Sequence, residues 1–136
     1  MADAVALRQA LAAFLGDTQY RKFVARGMYR GRMAYWQEQE WTRFTTAHPE
    51  FAVDLNELAA ALLVCHLHGD ELKPDTAEVF HGCMDLARWY VEARSRLFPY
   101  AAQDVISTEG RPFEGDRIGV LFCPACRVAR AGWRRR

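Results

Sequence analysis

The sequence contains no long hydrophobic run, and this absence limits the kinds of protein that it can encode. Its longest nearly uninterrupted apolar stretch, residues 58–64, is far shorter than the roughly 20 residues that a membrane-spanning helix needs. Behind Met1 there is neither a basic segment nor an apolar segment of the kind that begins a secretory signal. We therefore expect a cytoplasmic protein with no membrane partner.

A large excess of charge is also absent. Eighteen Lys and Arg residues oppose 17 Asp and Glu residues, giving a formal net charge of +1, which argues against a surface built entirely for polyanions. The apolar share of 51% and the charged share of 26% are those of an ordinary soluble globular protein. No repeat or low-complexity segment is present, and 136 residues suffice for one domain or for a helical half beside a small metal-stabilised half.

The charges are nevertheless unevenly distributed along the chain. Acidic residues dominate the middle, from Glu50 to Asp85, and basic residues concentrate on either side of it. The basic residues are Arg21, Lys22, Arg26, Arg30 and Arg32, followed at the end of the chain by Arg127, Arg130, Arg134, Arg135 and Arg136. The simplest explanation of this uneven distribution is that the charged residues lie on solvent-exposed faces of helices. The alternative is that the two groups of basic residues form one patch, which contacts the phosphates of a nucleic acid.

Helical periodicity predicts that the first half of the chain is helical. Apolar residues recur at helical spacing over residues 3–15, and Gly16 ends that pattern. A second helix should begin at Asp17 or Thr18, before a stretch weakened by two glycines, each of which costs about 1 kcal/mol in a helix interior. A third helix must end at Pro49, because the proline ring clashes with the preceding turn.

The second half is expected to mix helices with short strands. A fourth helix, capped by Asp54, should run into Cys65. β-Branched and aromatic residues predict strands at 76–80 and 116–122, and residues 73–75 look like a turn. Between the strands, Asp85 can cap a helix. Its apolar residues recur at helical spacing and are expected to face inward: Leu86, Trp89, Tyr90, Ala93 and Leu97.

Two residue pairs have the spacing of zinc ligands although they lie far apart in the sequence. Two residues separate Cys65 from His68, and two separate Cys123 from Cys126. A turn of that length lets both side chains of a pair reach one ion, so that two pairs supply the four ligands of tetrahedral zinc. Because four protein ligands leave no open position, the sequence predicts one structural Zn²⁺ rather than a catalytic one.

The cysteines also permit other interpretations. The four cysteines could be ordinary small apolar residues, or two of them could form a disulfide, which is rare in a cytosolic protein. Cys123 and Cys126 could also be a thioredoxin-like redox pair. In the redox interpretation Cys65 and His68 would have no purpose. Zinc ligation explains all four residues together, and we prefer it for that reason.

Three further residues compete for a role near the metal. His66 could replace His68 as a ligand, but adjacent residues seldom direct their side chains at one ion, and His66 directly follows Cys65. His81 and Cys83 lack a matching partner pair. We expect them to be a hydrogen-bonded imidazole and a buried thiol.

Three segments of the sequence resemble a set of small, mostly uncharacterised bacterial zinc-ribbon-like proteins. The segments are residues 64–69 (VCHLHG), the stretch from 90–94 (YVEAR) to 97–99 (LFP), and residues 121–127 (LFCPACR). The resemblance covers about residues 58–127 and implies the same four zinc ligands. It implies no reaction, because the set shares none.

These observations define the expected architecture. We predict a mainly helical α+β protein in which a helical N-terminal region, residues 1–57, packs on a zinc-binding region, residues 58–136. One ligand pair follows a helix and the other follows a strand, with a helix expected behind it over residues 127–133. That arrangement is closer to a treble clef than to a two-hairpin zinc ribbon, and it includes a short β-hairpin.

Three classes of function are compatible with such a protein. A binding module that presents a surface to another protein, in an accessory role, is the leading hypothesis. A nucleic-acid-binding protein that uses the arginine clusters and Trp133 is the alternative. A metal-dependent enzyme is least favoured, since no nucleophile and base stand at a recognisable spacing. Its first candidates are His66 and Asp70, beside the metal.

Overall fold

The computed structural model describes residues 3–28 and 30–134. Over these residues the fold is α+β and mainly helical, as predicted, with six α-helices and a three-stranded sheet. Its contacts cluster into two compact units, one up to His66 and one from Leu67 onward. Within the described ranges, none of the helices combines the length and apolarity needed to cross a bilayer.

The first unit is helical throughout. Its elements are α1 (Ala4–Leu15), α2 (Asp17–Arg26), α3 (Tyr35–Ala47), a 3₁₀ turn (Pro49–Phe51) and α4 (Leu55–Ala61). The predicted start of α2 at Asp17 is confirmed, and so is the cap of α4, where the Asp54 carboxylate accepts a hydrogen bond from the Glu57 N–H at 2.8 Å. The last element ends at Ala61 and does not run into Cys65, so the chain approaches that cysteine without helical structure.

The core of the first unit is built around Phe44 on α3. This side chain is fully buried, as are Leu11, Phe23 and Leu58. Phe14 meets the Phe44 ring edge-on with centroids 5.6 Å apart. Burial of a side chain of this size contributes about 1.5–3 kcal/mol, so these few residues supply much of the unit's stability.

One polar side chain is buried in this core, and it fixes the turn between α2 and α3. Gln37 is 0% exposed. Its Nε2 donates to the carbonyls of Phe23 and Gly27 at 3.0 and 3.1 Å, and its Oε1 accepts from the Ala34 N–H at 2.8 Å. Three backbone groups at the helix ends are thereby satisfied by a single amide, which is the condition for burying them without a large energetic cost.

We expect the substitution Gln37→Ala to lower the free energy of unfolding by about 2–4 kcal/mol, because it leaves three backbone groups without their partner. Urea denaturation measures the change. The matched control is Gln39→Ala in the same helix, where the exposed amide donates to the Tyr35 hydroxyl and the expected loss is within about 0.5 kcal/mol. Equal losses in the two variants would contradict this role for Gln37.

The second unit combines a small sheet with two helices. Its elements are β1 (Lys73–Phe80), α5 (Arg88–Leu97), β2 (Ile106–Ser107), β3 (Arg117–Phe122) and α6 (Pro124–Gly132). The strand order is β2-β1-β3, with β1 antiparallel to β3 and parallel to β2. Since α5 and β2 lie between β1 and β3 in the chain, the main ribbon of the sheet depends on long-range pairing rather than on a tight turn.

The strand β1 is longer than the sequence suggests. Residues 73–75 were predicted to form a turn, but they pair with β3 in a register that sets Pro74 opposite Leu121. The N–H of Val79 donates to the Asp116 carbonyl at 2.8 Å, so the odd-numbered residues of β1 carry the ladder bonds. Pro74 therefore occupies a position where its missing N–H costs no bond, which is where a strand tolerates proline.

The helix α5 also differs from its prediction. It begins at Arg88 rather than near Asp85, and it packs against α6. Of the five residues expected to face inward, Ala93 is buried and Tyr90 half-buried. The inward prediction is wrong for Leu86, Trp89 and Leu97, which are 38%, 42% and 36% exposed. Helical periodicity identified an apolar stripe here, but the neighbouring helix covers only part of it.

Candidate metal centre

The junction between β3 and α6 positions two of the predicted ligands. Cys123 follows the last residue of β3 and is the N-cap of α6, whose first residue is Pro124. Proline suits that position, because its missing N–H would have no helical partner. The Cys126 N–H donates to the Cys123 sulfur at 3.4 Å, and both sulfurs lie at the helix N-terminus, where the backbone dipole favours negative charge.

The other pair lies on a turn that follows the first unit's last helix. Residues 66–68 form this turn between Cys65 and Gly69. Gly69 has a φ of +80°, a left-handed conformation that glycine adopts without strain. The chain can therefore reverse immediately after His68, which holds the imidazole near the preceding cysteine.

The structure brings all four predicted residues together. One ligand atom from each of Cys65, His68, Cys123 and Cys126 can be chosen so that all four lie within 4.8 Å of one another. The Nδ1 atom of His68 is 3.7 Å from the Cys123 sulfur and 3.3 Å from the Cys126 sulfur. A tetrahedral ion with zinc-like bond lengths would separate such a nitrogen and sulfur by about 3.6 Å. The four residues therefore form a group that could hold one metal ion.

Burial divides this group into a protected part and an open part. The three cysteines are at most 1% exposed, whereas His68 is exposed to solvent. The Asp70 carboxylate lies 3.6 Å from the Cys123 sulfur. If the cysteines were ionised without a cation, these negative groups would repel one another strongly in a poorly hydrated site. A bound divalent cation would offset that repulsion.

Arg127 stabilises the N-terminal end of α6, which carries the two cysteines. Its Nε donates to the Ala101 carbonyl at 2.8 Å, and another nitrogen of its guanidinium pairs with Asp75 at 2.8 Å. Its Cζ atom lies 3.6 Å from the centroid of the Phe122 ring. The hydrogen bond from Arg127 lowers the pKa of Asp75 below its usual value. The ion pair therefore stabilises the fold at pH values above the ordinary Asp pKa and is lost as the pH falls through the lowered one.

A second ionic cluster, centred on Asp104, holds α5 against α6. Its carboxylate accepts from the Tyr90 hydroxyl at 2.8 Å and pairs with Arg94 and Arg130 at 3.2 and 3.1 Å. Burial, followed by the hydrogen bond to Asp104, raises the pKa of Tyr90. The sequence analysis missed this cluster. The four-residue spacing of Tyr90 and Arg94 was visible as a helical signal, but their partner lies in a loop whose path the sequence does not reveal.

These contacts change the interpretation of the C-terminal arginine cluster. Arg127 and Arg130, two of its predicted members, are engaged in ion pairs with Asp75 and Asp104. Arg134 is exposed, and its guanidinium donates to backbone carbonyls at the end of α6. The last two arginines of the sequence lie outside the described residues.

The remaining histidine and cysteine candidates lie outside the group of four. His66 is half-buried in the turn. His81 makes the predicted hydrogen bond, with Nε2 2.8 Å from the Gly115 carbonyl oxygen. The prediction of a buried thiol at Cys83 is wrong, because this side chain is exposed in a segment without helix or strand.

Comparisons with known proteins assign no family to this fold. No protein-family model matches the chain, and no curated protein or solved structure matches it significantly. The resemblance to bacterial zinc-ribbon-like proteins stays a prediction from three short motifs.

We expect the purified protein to carry about one equivalent of metal and the substitution Cys126→Ser to lose most of it, because a hydroxyl is a poor replacement for a thiolate. Elemental mass spectrometry measures the content. Cys83→Ser is the matched control: it removes a thiol outside the group of four and should leave the metal content unchanged. Full retention of metal in Cys126→Ser, or equal loss in both variants, would contradict the ligand assignment.

We expect Arg127→Lys to lower the free energy of unfolding of the metal-loaded protein by about 1–2 kcal/mol, since lysine cannot make both hydrogen bonds and stack on a ring. Chemical denaturation in the presence of excess metal measures the loss. Arg111→Lys, at an exposed loop position, should change the value by less than about 0.5 kcal/mol. If both variants were as stable as the parent, the contacts of Arg127 would make no measurable contribution to stability.

Proposed function

We propose that this chain is a zinc protein in which one structural Zn²⁺, held by Cys65, His68, Cys123 and Cys126, fixes a small platform that serves as a protein-interaction or accessory module. The observation that carries the proposal is the convergence of the four ligand atoms within 4.8 Å. Three sulfurs and one imidazole at near-tetrahedral spacing are a donor set that suits zinc better than hard cations such as calcium or magnesium.

The burial of the ligands supports a structural role for the metal. A catalytic zinc site keeps one position open for water or substrate, whereas four protein ligands fill the tetrahedron. The three cysteines are almost completely buried, so solvent reaches the site mainly from the side of His68. A redox role for Cys123 and Cys126 is less favoured, because the imidazole of His68 lies close to both sulfurs.

We further propose that the zinc-binding part is related in architecture to treble-clef and zinc-ribbon units. Two features favour this classification. One ligand pair lies on a turn, and the other lies where β3 passes into α6. An antiparallel ribbon, β1 with β3, leads directly into the second pair. The bacterial zinc-ribbon-like proteins named above are then the group of which this chain is a proposed member.

Exposed apolar side chains favour a protein partner over a nucleic acid. In the second unit, Val128 is 74% exposed, Trp89 42% and Leu121 40%, and a protein partner can bury apolar side chains of this kind in the core of an interface. The phosphate-binding alternative is weakened because Arg127 and Arg130 are already paired with carboxylates. For these reasons we place the function in protein interaction.

Replacement of the metal by Co²⁺ tests the nature of the site. We expect the intense visible absorption of a tetrahedral, thiolate-ligated Co²⁺, because three cysteines and one histidine would hold it. Removal of metal with a strong chelator should lower the melting temperature by about 10 °C or more, since metal binding contributes directly to folding. The weak bands of octahedral Co²⁺, or an unchanged melting temperature after complete metal removal, would refute the structural zinc site.

A further inference from the structure

A hollow of about 770 Å³ opens between α5 and the C-terminal end of α6. Its lining includes four apolar residues, which we call its floor: Trp89, Ala93, Leu97 and Trp133. Two of these residues, Trp89 and Leu97, are the ones that the sequence predicts to be buried and that remain 42% and 36% exposed. An apolar stripe that its own fold leaves partly uncovered is a candidate contact surface.

The floor of the hollow is held in place by aromatic packing. Trp89 and Trp133 lie nearly parallel, with ring centroids 5.9 Å apart and planes at 21°. Behind them, the fully buried Phe98 meets Trp133 edge-on at 5.8 Å. The indole rings are therefore ordered before any ligand arrives, which lowers the entropic cost of binding.

The charged residues of the lining, which we call its rim, have a positive excess of two arginines over one glutamate. The arginines are Arg96 and Arg134, and neither has a carboxylate within ion-pair distance among residues 3–28 and 30–134. The acidic residue of the lining, Glu92, is engaged by Arg88 at 3.1 Å. Arg134 donates to backbone carbonyls, but no described carboxylate neutralises either guanidinium. Two such groups beside an apolar floor are complementary to a ligand that is both apolar and acidic.

We propose that this hollow docks an acidic peptide segment of a protein partner. One or two apolar side chains of the segment would lie on the Trp89 and Trp133 floor, and flanking carboxylates would pair with Arg96 and Arg134. The inference rests on the proposed function, and it adds the position of the contact and the chemistry of the partner. Arginine suits the rim because its guanidinium can bind a carboxylate through two hydrogen bonds.

The aromatic geometry favours a peptide over a single-stranded nucleic acid. Base recognition by stacking needs a free aromatic face, whereas Trp133 is in contact with three rings: Trp89, Tyr90 and Phe98. The leucine and alanine of the floor add aliphatic surface, which suits an apolar side chain better than a base. A nucleic acid is therefore the competing outcome of the test.

The hollow is connected to the metal centre through one short helix. The ligands Cys123 and Cys126 lie at the N-terminal end of α6, and Trp133 follows its last residue, Gly132. Fixing the first turn of this helix therefore also fixes the position of the indole. We expect the peptide to bind the metal-loaded protein more tightly than the chelated one.

Selection from a phage-displayed library of random dodecapeptides, with the zinc-loaded full chain as bait, tests the inference. We expect enrichment of sequences that combine Asp and Glu with Leu, Phe or Trp. Synthetic peptides of the enriched sequences are then titrated by calorimetry at low and moderate salt. Binding should weaken at least about tenfold in the double variant Arg96→Glu/Arg134→Glu, because two attractive charge pairs become repulsive.

Two further variants separate the site from general effects of charge. Trp89→Ala removes part of the floor and should also weaken binding at least about tenfold. Arg111→Glu is the matched control: it reverses an exposed loop arginine that does not line the hollow, and binding should change less than about threefold. Retention of the metal and of the parent's circular dichroism shows that a variant is folded.

Several results would overturn the inference. The library could yield no binder, or it could enrich basic or neutral sequences. Binding could survive the double charge reversal. A twelve-residue oligothymidylate could bind more tightly than the peptide and displace it. Self-association that is lost in the same double variant would identify a second copy of the chain as the occupant, and would overturn the inference as well.

If the protein holds zinc but binds no peptide, the inference fails and the structural zinc site stands. If the protein holds no zinc, the proposed function fails.

Discussion

The convergence of three buried sulfurs and one imidazole is the constraint on which the other features of the site depend. Cysteine and histidine side chains from segments more than fifty residues apart in the sequence meet within 4.8 Å. Apolar packing alone gives no reason for such a meeting, and the Asp70 carboxylate near the Cys123 sulfur would make it electrostatically unfavourable if the thiols ionised. A metal ion that accepted all four ligands would supply the attraction that holds them together.

The helix α6 extends this constraint into the rest of the second unit. Its N-terminus carries two of the proposed ligands, and Arg127 in its first turn connects it to β1 through Asp75. One turn further on, Arg130 joins the Asp104 cluster, which also holds α5. The indole of Trp133 then forms part of the floor of the hollow. A single short helix thus connects the metal centre, two ion pairs and the proposed docking surface.

Local signals in the sequence were sufficient to predict much of the fold. The spacing of the ligand pairs identified all four residues that meet, and the capping residue Asp54 placed the start of α4 correctly, whereas Asp85 did not place that of α5. The errors lie where distant parts of the chain decide the outcome. Pro74 looks like a turn residue until its place opposite β3 is known. Trp89 and Leu97 recur at helical apolar spacing, yet both remain partly exposed. The packing of α6 decides how much of this apolar stripe is covered, and periodicity does not describe that packing. The same limitation concealed the Asp104 cluster.

X-ray absorption spectroscopy of the metal in the purified protein tests the central claim most directly, because it reports the identity of the ion and its nearest neighbours together. The account requires a zinc edge and a first shell of three sulfur atoms at about 2.3 Å and one nitrogen atom at about 2.0–2.1 Å. A shell of oxygen and nitrogen atoms alone, a coordination number of six, or the edge of another metal at full occupancy would contradict it.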